Sequence, residues 1–135
     1  MNLQDSDTVI CSTGAGTLGR VGQVFGVYPN TTFDSHVTLV RAAPNVGKQF
    51  MYHCLKSKQS YLMGMGKGST NQLELNRSVI QSLALLIPTG DILNEFEKIA
   101  QPIHDKITAL AIQVEKLKAS RACLLPKLMS GEVEV

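Results

Sequence analysis

Residues 103–128, IHDKITALAIQVEKLKASRACLLPKL, decide the fold. Within them Ile107, Leu110, Val114, Leu117, Arg121, Leu124 and Leu128 follow one another at alternating steps of three and four. Side chains at those spacings share one face of a helix, so the run predicts a helix with a heptad seam carrying one charge, Arg121. The seam is narrow, and its flanks (Lys106, Gln113, Glu115, Lys116, Lys118, Ser120) are polar. A helix buried in its own domain presents a wider apolar stripe. The expectation is therefore a two-helix seam. The chain shows no second long helix, so another copy or another subunit must supply the mate.

Upstream, Ile92, Phe96, Ile99 and Ile103 carry the helical spacing back to Asp91, a candidate cap. Pro102 falls inside this pattern, and its missing N–H and ring clash predict a kink or a restart. Pro88-Thr89-Gly90 marks a change of character: glycines are dense before it, and Gly131 alone follows it. Two units are expected, 1–90 and 91–135. In the first, Thr8–Ser12, Arg20–Tyr28 and Ser35–Arg41 read as strands, the last alternating and ended by Ala42-Ala43-Pro44. Residues 45–63 switch to a helical period through Phe50, Cys54, Leu55, Lys58, Tyr61 and Leu62. A glycine-rich loop, Gly64–Gln72, follows. A short helix capped by Asn76 and a last strand, Ala84–Ile87, complete the unit. The fold class is α+β, a mixed α and β unit followed by a long carboxyl-terminal helix.

The composition narrows the function classes. The 135 residues are 44% hydrophobic, which excludes a disordered or collagen-like chain. No apolar run is long enough to span a membrane, and MNLQDSDTV lacks a signal-peptide pattern. Cys11, Cys54 and Cys123 are odd in number and form no CxxC, which argues against a disulfide framework or zinc site and for the cytoplasm. Residues 1–90 carry seven Lys/Arg against four Asp/Glu, whereas 91–135 carry six against seven. Between 41 and 77 lie six bases and one acid, Glu74, a zone suited to a polyanion.

Several motifs fail on their context. Gly14-Ala-Gly16-Thr-Leu-Gly19 has dinucleotide-loop spacing, but Gly22, Gly26 and the strand-like run after it deny the helix that would hold pyrophosphate. A hairpin loop is expected instead. Lys67 precedes Gly68 where a phosphate-binding loop needs Ser or Thr. His36, His53 and His104 lie on separate elements without metal spacing and read as structural. No metal site and no Ser/His/Asp set is suggested.

The runs DTVICSTGAGTLGRVGQV, FDSHVTLVR, YHCLKS and GKGSTNQLELNRSVIQSLALLIP occur in order, and the chain ends FEKIAQPIHDKITALAIQVEKLKASRACLLPKLMSGEVEV. Together they resemble the specificity subunit of type I restriction–modification systems; Leu124-Leu-Pro-Lys-Leu-Met-Ser-Gly-Glu after a long helix is the least ambiguous part. The resemblance implies a target-recognition domain over 1–90 and a conserved helix over 91–135, with helices paired antiparallel as a coiled-coil spacer. It implies no catalysis, double-stranded DNA as ligand, and modification and restriction subunits as partners. S-adenosylmethionine belongs to the modification subunit, which methylates adenine. Relative to that family the sequence carries one unit and opens inside the recognition domain. A half-subunit that pairs with itself is the leading expectation. The alternative is a fragment that dimerises or docks partners through its helix but does not read DNA by itself.

Three regions are the expected DNA contacts: Ser12, Thr13 and Arg20 of the hairpin loop; Lys67, Ser69, Thr70, Asn71 and Gln72 of the glycine-rich loop; and Lys48, Lys56 and Lys58 of the basic helix. Arginine and lysine suit phosphate or guanine edges, asparagine and glutamine suit adenine. Residues 103–128 give about 39 Å of helix at 1.5 Å per residue. DNA advances about 34–36 Å per turn, so paired units at opposite ends address major grooves roughly one turn apart. Two-fold pairing then predicts a bipartite palindromic target.

Overall fold

A computed structural model of the chain describes residues 2–26, 30–66 and 74–132. Three short strands, β1 (Thr8–Cys11), β2 (Val21–Gln23) and β3 (Val37–Val40), form an antiparallel sheet in the order β2-β1-β3. Ile10 pairs with Val21 on one side and Thr38 on the other. The Gly14–Gly19 motif is the β1–β2 hairpin loop, as its flanking residues predict. Gly19 has φ +73°, and a Cβ there would lie 2.5 Å from the Met63 backbone nitrogen. Only glycine fits that backbone and that approach together. Leu18 enters the core beside it, with Ile10, Val21, Leu55, Leu62, Leu75 and Ile80.

The predicted helix over 45–63 is two helices, α1 (Lys48–Ser57) and α2 (Gln59–Gly64), jointed at Lys58. The joint serves the sheet. Gln59 Oε1 accepts the Val21 N–H at 3.0 Å, and Lys56 Nζ donates to Val21 O at 3.0 Å. Side chains thus occupy the outward main-chain groups of Val21, where an open edge would invite another strand. Helix α3 (Arg77–Gln81) follows; Asn76 holds its N-cap position without a side-chain capping bond.

Ala84–Ile87 is not a strand. Among the described residues it has no ladder partner, and Leu86 is 93% exposed. A short apolar run before a proline is compatible with a buried strand, but a strand exists only where a neighbour completes its hydrogen bonds. The 40-residue helix α4 (Gly90–Met129) starts after Thr89, leaving Asp91 in its first turn rather than at the cap. It passes through Pro102 and Pro126 as one element, so of the kink or restart expected at Pro102 the restart does not occur. Proline removes a helical hydrogen bond; packing of the residues around Pro102 against α1 and the sheet offsets that loss. The face that packs is Leu93, Phe96, Glu97, Ala100, Gln101 and His104; of the predicted stripe Phe96 packs on Phe50 and His53, while Ile92, Ile99 and Ile103 are exposed. Among the described residues no helix is long and apolar enough to cross a membrane.

Candidate nucleic-acid interface

The sheet has two chemically distinct ends. At one end the hairpin loop after β1, the turn before β3 and the segment before α3 converge. Thr13 bridges to Glu74, and Leu75 N–H donates to Ser12 O at 2.8 Å. Ser12, Thr13, Ser35, His36, Asn76 and Arg77 line a polar cavity of about 290 Å³ there. Thr13 Oγ1 lies 2.6 Å from His36 Nδ1. Ser12 is buried and its hydroxyl lies 2.6 Å from Thr38 Oγ1, so it shapes the cavity floor. Arg20 is exposed immediately before β2, at this same end. The carboxyl-terminal turn of α1 arrives here too. Lys56 is tied to Val21 O and Gln59, whereas Lys58 is exposed at the helix joint.

Lys48 is not part of this grouping. It opens α1 at the opposite end of the sheet, beside the Asp7–Arg41 pair. Arg41 donates to both Asp7 carboxylate oxygens, at 2.8 and 2.7 Å. Burial pushes the Asp7 carboxyl up; the bonds from Arg41 and the Gln4 N–H, with the charges of Arg41 and Lys48, outweigh it and hold Asp7 below its ordinary value of 3.8. Lys67, Ser69, Thr70, Asn71 and Gln72 lie outside the described residues. His36, Asn76 and Arg77 were not singled out as contacts by sequence reasoning. Only the basic zone that includes Arg77 hinted at them, because nothing in their spacing foretells a shared cavity.

At the second end α4 docks. Glu97 Oε1 accepts the Phe50 N–H at 2.8 Å in the first turn of α1, a carboxylate where the helix dipole favours one. His104 stacks on Phe25 with ring centroids 4.9 Å apart. Its Nε2 is near both Ser6 Oγ and Asp5 Oδ1, at 3.1 and 3.2 Å. This is not a nucleophilic relay: serine and aspartate meet the same ring nitrogen, whereas a relay needs them on opposite ones. Burial pushes the Asp5 carboxyl up, but the Gly26 N–H, His104 and Ser6 bonds hold it below its ordinary 3.8. Among the described residues no group of three His, Cys, Asp or Glu is placed to hold a metal.

Beyond the dock, the seam residues Ile107, Leu110, Val114, Leu117, Leu124 and Leu128 are all exposed, Leu117 at 69%. Arg121 is exposed among them. No described element of the chain covers this face.

The structure therefore defines a small α+β unit that offers a polar, partly basic end and anchors a long helical arm at the other. No known protein-family profile matches the chain. It is similar to the type I restriction enzyme HindI specificity subunit of Haemophilus influenzae, at 32% identity over 87 residues, 63% of this chain and 19% of that protein. It is also similar to the type I restriction enzyme MjaIX specificity subunit of Methanocaldococcus jannaschii, at 30% identity over 102 residues, 75% of this chain and 23% of that protein. The chain is thus related in sequence to type I restriction enzyme specificity subunits, as its motifs imply. It spans about a fifth to a quarter of the length of these relatives.

Proposed function

We propose that the chain is a sequence-specificity module of a type I restriction–modification system, cytoplasmic and without catalysis of its own. The polar end of the sheet faces double-stranded DNA, and α4 is the spacer that docks the modification subunit and, through the assembled complex, the restriction subunit. The observation that carries this reading is the convergence of the hairpin loop, His36, Asn76 and Arg77 at the sheet end opposite the arm, in a chain related to specificity subunits. Among the described residues, Thr13, Arg20, Lys58, His36 and Arg77 are the proposed DNA contacts, with Lys56 beside them. Ser12 and Lys48 act indirectly, one through the cavity floor and the other through Asp7. S-adenosylmethionine is held by the modification subunit, which methylates adenine.

The exposed seam supports an antiparallel pair of α4 helices between two copies, addressing a bipartite palindrome. Leu117→Asp places a charge in that seam and gives a monomer by light scattering while the circular dichroism of the fold is kept. Mobility shift with the modification subunit tests the DNA reading. Binding weakens steeply with salt, and Arg20→Ala or Arg77→Ala reduces the slope of log affinity against log salt by about 1 each. Loss of salt dependence, or a contiguous footprint without two-fold symmetry, overturns it. One feature favours a second reading: exposed apolar Leu86 and Ile87 lie on an extended segment that no described strand accompanies. On that reading the module docks partners through α4 and reads DNA only when another polypeptide completes its sheet, and binding appears only in the complex.

A further inference from the structure

Helix α4 meets the sheet through polar groups, not through the apolar stripe that its sequence advertises. His104 is 3% exposed and Gln49 on α1 is 1% exposed. His104 Nδ1 is 3.1 Å from Gln23 Oε1 of β2, and Nε2 faces Asp5 and Ser6 ahead of β1. Gln49 Nε2 donates to Gln101 Oε1 at 3.1 Å and to Ser6 Oγ at 3.3 Å; its Oε1 accepts from Gln23 Nε2 at 2.9 Å. Ser6 has φ +67°, a left-handed conformation rare outside glycine, and its hydroxyl reaches both Asp5 and His104. Four segments of the chain are joined in one buried network.

Networks of this kind act on geometry. Apolar faces slide and tilt over one another with little loss, whereas hydrogen bonds weaken steeply when distance or angle departs from the optimum. A buried polar atom that loses its partner is penalised fully, so the network selects one arrangement and disfavours its neighbours. The leverage is large. From His104 to Met129 the helix runs about 38 Å, and a tilt of about 10° displaces its tip by about 6–7 Å, roughly two base-pair rises of DNA.

We propose that His104 is a positioning residue: with Asp5, Ser6, Gln23 and Gln49 it locks the angle at which the α4 arm leaves the sheet. Resting on the DNA reading above, that angle sets the gap at which two half-sites are read. The angle itself is measurable without DNA. The exposed Cys123 takes one spin label, Gln81→Cys takes a second, and Cys11 and Cys54 are replaced by serine. Doubly labelled chain is diluted into unlabelled chain, so that only distances within one molecule register in pulsed electron resonance.

The parent gives one narrow distance. His104→Leu, which keeps an apolar contact with Phe25 but removes both ring nitrogens, broadens the distribution roughly twofold or more while the far-ultraviolet spectrum is kept. His104→Gln, which restores a donor and an acceptor, narrows it again. A distribution as narrow in His104→Leu as in the parent overturns the proposal. If His104→Leu does not fold, Gln49→Leu takes its place under the same criterion. Broadening in a chain whose parent form binds no DNA, alone or in the complex, removes the DNA reading and leaves the positioning role standing.

Discussion

The two halves of α4 carry similar apolar spacing and have opposite fates. In the proximal half, Leu93, Ala100 and His104 are buried against α1 and the sheet, while Ile92, Ile99 and Ile103 beside them face outward. In the distal half the seam from Ile107 to Leu128 is exposed, with Ile107 and Val114 bordering clefts beside Phe25 and no described helix or strand lying over the rest. Periodicity locates a face on a helix; it does not say what covers that face. The docking face is chosen by a few polar groups with specific partners, Glu97 with the Phe50 N–H and His104 with Asp5, Ser6 and Gln23. Phe96 of the apolar stripe packs edge-on against Phe50 and His53 of α1, while Ile92, Ile99 and Ile103 stay exposed.

Paired substitutions on the two halves break this comparison if it is wrong. Leu93→Ala removes a buried side chain and costs about 2–3 kcal/mol in urea unfolding. Glu97→Ala takes away the carboxylate that receives the Phe50 N–H and costs about 1 kcal/mol, read as reduced hydrogen-exchange protection in the first turn of α1. Acid sharpens the contrast further. Asp5 and Asp7 have folded values below their ordinary 3.8, so their contribution is fully present above that value and is lost as pH falls through the lowered ones. Exchange protection over residues 93–104 therefore declines as the pH falls below the ordinary carboxylate value of 3.8, and Asp5→Asn flattens part of the decline. Leu117→Ala, on the free seam, moves the unfolding midpoint of an isolated chain by less than about 0.5 kcal/mol. Equal costs for Leu93→Ala and Leu117→Ala at low protein concentration contradict the division of the helix into docked and free halves.

Local rules reached the three strands, the hairpin and the long helix. Thr8–Cys11 and Val37–Val40 fall within the expected segments because alternation and breakers act over a few residues. The hairpin loop was legible because Gly22 and Gly26 exclude a helix after Gly19. What local rules missed depends on distant partners. Ala84–Ile87 has a strand's composition but no described neighbour to pair with. Pro102 carries a helix breaker's chemistry, yet the docked residues on both sides hold the helix through it. Lys58 interrupts a helical period because Lys56 and Gln59 on either side of it serve Val21, more than thirty residues earlier in the chain. In the candidate site, Thr13 and Arg20 were legible as loop residues. The cavity that adds His36, Asn76 and Arg77 was not, since it is assembled by the Thr13–Glu74 bridge. The spacing of the histidines gave the structural reading of His104, but only the fold reveals Asp5 and Ser6 as its partners.

The three strands are three or four residues long, so about 13 Å of sheet separates the arm's anchorage from the loops at the far end. No bond that fixes the arm passes through residues 13–18. Leu18 is a core residue, but variation over residues 14–17 is insulated from the architecture behind it, and a foreign loop grafted between Thr13 and Leu18, with Leu18 and Gly19 kept, inherits the arm's orientation. Diversity at one extremity and constancy at the other can then evolve on separate schedules.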